Sequence, residues 1–337
     1  MNMIEDKIRG MFYGIFLGDA LGMPVETWTA ERIAETYGRV TKFLVPDGHK
    51  WFAGQPAGCP TDDWQLSKAV SEALILSNGL NMDTQANFHI QAFQDSTNGW
   101  GRSTRESVRR LINGSHWQNS GQPMGVGNGV AMKIAPLGAY AAANPDQFNA
   151  CRDFACNLAL MTHKSSLGVL SGLIHMRGIF YCLTRDEFPV DEFINAVALD
   201  EVSVNIEEDN KEPFTYSDGS VKPTHEDFLS PRMTMLRYHK KYNIAKIIDE
   251  FGGGSCYVRN SLPFTYMFFL KNPHSIESLY DIVSSGGDTD TNGSMVGALL
   301  GSLNGMSVFP KDLIGQIPAK SHKEIIDLSD RFFNKFS

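Results

Sequence analysis

Apolar residues recur at intervals of three and four along most of the chain, the period of helices that turn one face inward. Between Lys7 and Leu21 they fall at Ile8, Met11, Phe12, Ile15 and Phe16, with Gly10, Gly14 and Gly18 on a neighbouring stripe. A glycine inside a helix costs about 1 kcal/mol relative to alanine, so this spacing implies close approach of a partner backbone. The device returns near the C-terminus. Gly293, Gly297, Gly301 and Gly305 lie four apart, flanked by Met295, Val296, Ala298, Leu299 and Leu300. That second helix is expected at the centre of the fold. A third spans Asp62–Ser77, with Thr61 as N-cap, two acids in its first turn and Asn78-Gly79 as its stop.

The same period predicts helices over 85–93, 103–112, 147–162, 168–183, 191–196, 233–251, 262–270 and 275–284. Period-two alternation is confined to 39–45 and 197–204. A predominantly α-helical single domain over 1–337 is expected. The Gly/Pro-rich stretch 45–60 and the polar, acidic stretch 205–231 break the pattern as loops.

Composition adds limits. With 42% hydrophobic and 20% charged residues, the 337-residue chain has the make-up of a soluble globular protein. A net charge of -8 argues against non-specific nucleic-acid binding. The five cysteines form no C-x-x-C pair or zinc spacing and fit a reducing compartment. The polar N-terminus is unlike a secretory leader, and no apolar run is expected to reach the roughly 18–20 residues of a membrane span. A cytoplasmic protein, monomeric by default, is expected.

Candidate chemistry sits in two acidic clusters. Thr61-Asp62-Asp63 on its own reads as a cap with acids favoured by the helix dipole. Asp288, Asp290 and Thr291, on the turn opened by Gly286-Gly287, are harder to explain as a cap, which needs one acid rather than two. Together they offer hard oxygen donors for two ions such as Mg²⁺ or Mn²⁺, with Asp290 or Asp62 able to bridge. Pro24 stops the first helix and leaves Glu26 on a loop, where solvation is the ordinary fate of a carboxylate. Asp19, on a packed helix face, must find a partner and is expected to orient backbone from a neighbouring turn. The run Gly125-Val126-Gly127-Asn128-Gly129 reads as a phosphate cradle or a flexible turn. His163 closes a helix, and Gly252-Gly253-Gly254 leads to Tyr257, an aromatic able to stack on a flat ring or simply to pack. No Gly-x-Ser-x-Gly elbow, Walker loop or H-E-x-x-H run is present.

In this order the motifs resemble the ADP-ribosylglycohydrolase family. The matching stretches are 14–26, Thr61-Asp62-Asp63 with Gln65, 125–133 with Ala135-Pro136, Thr162-His163 through Gly168, and 252–305. The resemblance implies an all-α, compact orthogonal helical bundle around a dinuclear magnesium or manganese site. Thr61, Asp62 and Asp63 would serve one ion, Asp288 and Thr291 the other, with Asp290 bridging. Gly125, Gly127, Asn128, Gly129, His163, Gly254, Tyr257 and Gly286 would line the substrate cleft. Asp63, Asp62 and Glu26 would be catalytic, Glu26 as a flap over the metals. Two positions depart from the common pattern: Trp64 replaces a threonine after the acid pair, and Lys133 replaces an arginine. The stretch 205–251 has no clear match and reads as a variable insertion.

The implied activity is metal-dependent hydrolysis releasing ADP-ribose from a modified protein side chain, with ADP-ribosylarginine leading. ADP-ribosylserine or a free ADP-ribose derivative is the alternative substrate. An immunity-type protein that binds and blocks an ADP-ribosylating toxin is the alternative of another class.

Overall fold

The computed structural model describes residues 3–198 and 229–336. Its first helices are α1 Met3–Gly22, α2 Ala30–Tyr37, α3 Asp62–Ser77, α4 Met82–Asp95, α5 Arg102–Ile112 and α6 Trp117–Ser120. The middle of the chain forms α7 Ala135–Ala143, α8 Phe148–Thr162, α9 Ser166–Thr184, α10 Val190–Val197, α11 Leu229–Thr234 and α12 Ile244–Glu250. The last group is α13 Val258–Lys271, α14 Glu277–Val283, α15 Thr289–Asn304, α16 Lys311–Ile314 and α17 Ala319–Phe336. Two short strands, β1 Gln122–Pro123 and β2 His163–Lys164, pair in parallel. The fold is all-α, as expected.

Its axis is the antiparallel pair α1 and α15, whose glycine stripes face each other. A Cβ on Gly14 would lie 1.9 Å from the Gly297 carbonyl oxygen, and one on Gly18 2.1 Å from that of Gly293. Gly10 meets Gly301 and Gly305, and Gly22 meets the Thr289 backbone. The helices therefore touch backbone to backbone, which explains glycine where propensity opposes it. The other faces of α1 are covered by side chains. Phe12 packs edge-on against Phe332 of α17, and Phe16 against Trp64 of α3. Burying such a ring contributes about 1.5–3 kcal/mol. Lys7 reaches from α1 to the end of α9, where its Nζ donates to the Cys182 and Arg185 carbonyls; a cation there offsets the carbonyls a helix leaves unpaired.

Several expectations need correction. The predicted helix 233–251 is broken: α11 passes into a 3-10 turn at Met235–Tyr238, and α12 restarts only after Asn243 accepts from the Lys246 amide as a new N-cap. Leu229, Met233, Leu236, Ile247 and Phe251 are nonetheless buried, so this half of the supposed insertion belongs to the core. Most of 205–231 lies outside the described residues. No strand forms over 39–45, and Val197 closes α10, with the rest of 197–204 beyond Ala198 outside the described residues. Helices α2, α6, α7, α16 and α17 lie outside the predicted set. α7 is apolar and alanine-rich on every face, so no amphipathic period marks it.

Helix α9 is long and apolar enough to cross a membrane by length and composition, against the expectation that no run reaches that length. Yet 83% of its apolar window is buried within the protein. It packs on α7, α8, α10 and α15, the setting of a core helix. All five cysteines are free, in line with the absence of a disulfide pattern.

Candidate metal centre

The N-terminus of α3 meets the N-terminus of α15 beside the C-terminal half of α1, and each contributes acids. Thr61 occupies the N-cap position of α3, but its hydroxyl makes no capping bond. Asp19 of α1 takes that task. Its carboxylate accepts from the Thr61 amide at 2.8 and 3.0 Å, from Thr61 Oγ1 at 2.8 Å and from the Trp64 amide at 2.9 Å. A carboxylate on these orphan amides is favoured by the helix dipole as well. The expectation that Asp19 orients a neighbouring turn holds.

The hydroxyl of Thr61 has one proton, committed to Asp19, yet it stands 3.4 Å from both Asp63 Oδ2 and Asp290 Oδ2. Its lone pairs face carboxylates, which is repulsive unless a cation or proton lies between them. Thr291 Oγ1 donates to Asp63 Oδ2 at 3.2 Å, while Asp63 Oδ1 is buried with no hydrogen-bond partner among the described residues. Asp290 Oδ1 accepts from the Thr291 amide at 2.9 Å. Asp288 Oδ2 accepts from Asn128 Nδ2 at 2.5 Å, and Asn128 also donates to Ser261 Oγ.

Two groups of acids bring one oxygen each within 4.8 Å of one another: Asp19, Asp63 and Asp290, and Glu26, Asp288 and Asp290. Asp290 belongs to both. Burial raises every one of these carboxyls, and neighbouring acids add to the rise for Asp19, Asp63 and Asp288. Burial and Asp290 push Asp62 up to about 7, although the Gly101 amide and Lys133 oppose the rise. Glu26 is half-buried rather than solvated. Burial, then Asp290, Asp288, Asp62 and Asp19, push it up to about 11. An all-oxygen set with an orphaned buried acceptor and mutual repulsion fits hard divalent cations. The acidic residues cluster as a metal site.

The glycine turn before α15 is built by its conformation. Gly286 and Gly287 have φ of +80° and +79°, in the region that favours glycine. Gly286 lies against the Trp28–Ala30 backbone, where a Cβ would come 2.7 Å from the Trp28 oxygen, so it shapes the turn. The Gly287 amide donates to Trp28 O and the Thr27 amide to Gly287 O, joining this turn to the Glu26 segment. The Gly254 carbonyl accepts from the Asp288 amide at 3.0 Å and from Asn292 Nδ2 at 2.6 Å. Gly254 thus fixes the acidic turn.

The Gly125–Gly129 loop runs alongside. Gly127 bridges Tyr257, the Asn128 amide donates to Cys256 O, and the Val258 amide donates to Val126 O. Tyr257 stands at the N-cap of α13, and Asn128 is turned by its side chain toward Asp288. His163 is buried beneath the loop rather than at an open edge. Burial and then Lys133 lower it to about 3, keeping the ring neutral. The sequence reading missed a clamp at Asn98-Gly99-Trp100-Gly101. Trp100 Nε1 donates to Gln65 Oε1, Gly99 packs on Thr61 and Asp62, and the Gly101 amide bonds Asp62. The Asn-Gly and Trp-Gly pairs were its turn signal.

Comparison with known proteins agrees with this geometry. The ADP-ribosylglycohydrolase family model matches residues 1–337. The chain is 23% identical to the ADP-ribosyl-[dinitrogen reductase] glycohydrolase of Rhodospirillum rubrum, over 96% of this chain and 94% of that protein. It is 24% identical to the ADP-ribosylhydrolase ARH3 of Bos taurus, over 90% of this chain and 87% of the relative. A solved ADP-ribosylglycohydrolase-related protein complex has a chain of the same fold, with a TM-score of 0.72 at 19% identity and full coverage of both chains. Whole-length match and all-α architecture lead to one conclusion: the chain belongs to the ADP-ribosylglycohydrolase family and is a glycosidic-bond hydrolase.

Proposed function

We propose that this hydrolase releases ADP-ribose from a modified protein side chain, with ADP-ribosylarginine as its substrate linkage. The observation that carries the reading is the pair of acidic groups sharing Asp290, with Asp63 Oδ1 left unpaired beside them. Similarity to the Rhodospirillum rubrum protein, whose name specifies a modified protein as substrate, supports a protein-linked target. Charge supports arginine. The five aspartates Asp19, Asp62, Asp63, Asp288 and Asp290 alone carry more formal negative charge than two divalent ions offset. A cationic guanidinium leaving group suits such a centre better than a neutral serine oxygen.

Thr61, Asp62, Asp63, Asp288, Asp290 and Thr291 would hold two Mg²⁺ or Mn²⁺ ions, with Asp290 shared. Bound there, the ions supply charge stabilisation, a more acidic water and a template for ribose hydroxyls. The chain supplies the rest. Asp63 Oδ1, free of any protein donor, positions a water and takes its proton. Asp62, steadied by the Gly101 amide, orients beside it. Glu26, whose carboxyl is raised by burial and its acidic neighbours in the metal-free protein, is the acid placed to give a proton to the departing nitrogen. Gly125, Gly127, Asn128 and Gly129 line the diphosphate and ribose cleft with backbone, bounded by His163, Gly254 and Tyr257, while Gly286 acts through the turn it shapes.

The test compares ADP-ribose release from arginine-linked and serine-linked proteins with Mg²⁺, with chelator and with Asp290→Asn. Release from the arginine-linked protein that stops with chelator and with D290N is expected. Faster release from the serine-linked protein would refute the linkage, and full activity of D290N would refute the site.

A further inference from the structure

The helix end Thr162-His163 and the buried Lys133 form a chain of contacts that the hydrolytic roles above do not use. Lys133 is fully buried, and its Nζ donates to Thr162 Oγ1 at 3.0 Å. Thr162 Oγ1 stands 3.0 Å from His163 Nδ1. The ring is 2% exposed, and its far edge faces the glycine loop: a Cβ on Gly129 would lie 3.1 Å from Nε2, and one on Gly127 3.8 Å away. The ring's hydrogen bond to Thr162 is made at Nδ1, on the edge away from the loop.

Hydrogen-bond direction follows from proton counting. Thr162 Oγ1 accepts from Lys133 Nζ, which leaves its own single proton for another acceptor. Thr162 has His163 Nδ1 as its neighbouring acceptor at 3.0 Å, and donation of that proton makes Nδ1 the bare acceptor of a neutral ring. The ring's one N–H is left on Nε2, beneath the stretch of loop without side chains.

We propose that Lys133 and Thr162 are positioning residues that fix the His163 proton on Nε2, where it is presented to a ligand oxygen in the Gly127–Gly129 cleft. The identity of that ligand, ADP-ribose, rests on the function proposed above; the position of the proton does not. Swapping the tautomer would present a lone pair to the same oxygen and turn an attraction into a repulsion.

The tautomer is read in ligand-free protein from ¹⁵N–¹H long-range spectra of histidine-labelled samples, with His163→Gln identifying the resonance. The wild type is expected to show a protonated Nε2 and a bare Nδ1. Thr162→Val, which keeps the shape and deletes the hydroxyl, is expected to give a mixture of tautomers and bind ADP-ribose about tenfold more weakly, as for one lost hydrogen bond. Thr162→Ser should restore both readouts, which a merely structural threonine would not require. A wild-type proton on Nδ1, or a Thr162→Val protein that keeps Nε2–H and full affinity, overturns the proposal. An Nε2–H signal that responds as expected in a protein without ADP-ribose affinity would support the relay and sink the ligand assignment instead.

Discussion

The backbone seam between α1 and α15 makes a prediction whose sign separates two physical effects. Gly297→Ala adds one methyl group 2.0 Å from the Gly14 carbonyl oxygen, where ordinary contact begins near 3.4 Å. The helices must therefore part by about 1.4 Å (3.4 minus 2.0), since backbone has no rotamer to yield. Alanine in place of helical glycine should by itself stabilise by about 1 kcal/mol. Overpacking of a close-packed interior costs about 1–3 kcal/mol, and a backbone clash belongs at or beyond the top of that range. A net loss of about 2 kcal/mol follows, equivalent to a Tm fall of about 3 °C for a chain of 337 residues. Separating α15 from α1 also moves Asp290 from Asp19 and its capped turn, so divalent affinity should fall with stability. Thermal unfolding by circular dichroism and Mn²⁺ titration calorimetry measure the two. A variant with raised Tm and unchanged metal affinity would show that propensity wins and that the helices do not meet as described.

Asp19→Ala removes acceptors from two α3 amides and should cost about 1–2 kcal/mol, read by chemical denaturation, together with weaker Mn²⁺ binding; unchanged metal affinity would contradict its role in seating Asp63. Adding Mg²⁺ to chelated protein should raise Tm, because cations offset the repulsion among buried carboxylates, and Asp288→Ala should abolish most of that rise, as seen by scanning calorimetry. The pH dependence of the metal-free protein follows from carboxyls raised in the fold above their unfolded values of 3.8 and 4.5. The native state then binds more protons, so this contribution is complete at low pH. It is lost as pH rises through about 7 for Asp62 and onward toward about 11 for Glu26. Unfolding of chelated protein should therefore show falling stability from pH 5 to 8, a trend flattened by Mg²⁺; a rise over that interval would reverse the sign argued here.

Much of this centre was legible because its demands are local. The glycine stripes at Gly10–Gly18 and Gly293–Gly305 announced a backbone contact before any partner was known, and each proved to be the other's partner. Asp19 on an apolar helix face had to find donors and did. What escaped depends on distant partners. Glu26 reads as a solvated loop acid until the Gly287 turn folds over its segment, and the bond from Asn128 to Asp288 joins residues 160 positions apart. Helix α17 buries Ile325, Leu328 and Phe332 between charged residues, a sparse stripe that gains meaning only against Phe12. The stretch 233–251 keeps a helical period across the break at Asn243, where a side-chain cap overrides it.

The double hydrogen bond between Thr27, Trp28 and Gly287 ties the fate of Glu26 to that of Asp288. Thr27, the next residue, is held at a φ of +65°, a conformation that costs a threonine energy and that this tie helps maintain. Glu26 therefore sits on a sprung latch. A substitution that broke this tie would relax Thr27 and, through the shared Gly287 turn, loosen the backbone that aims Asp288.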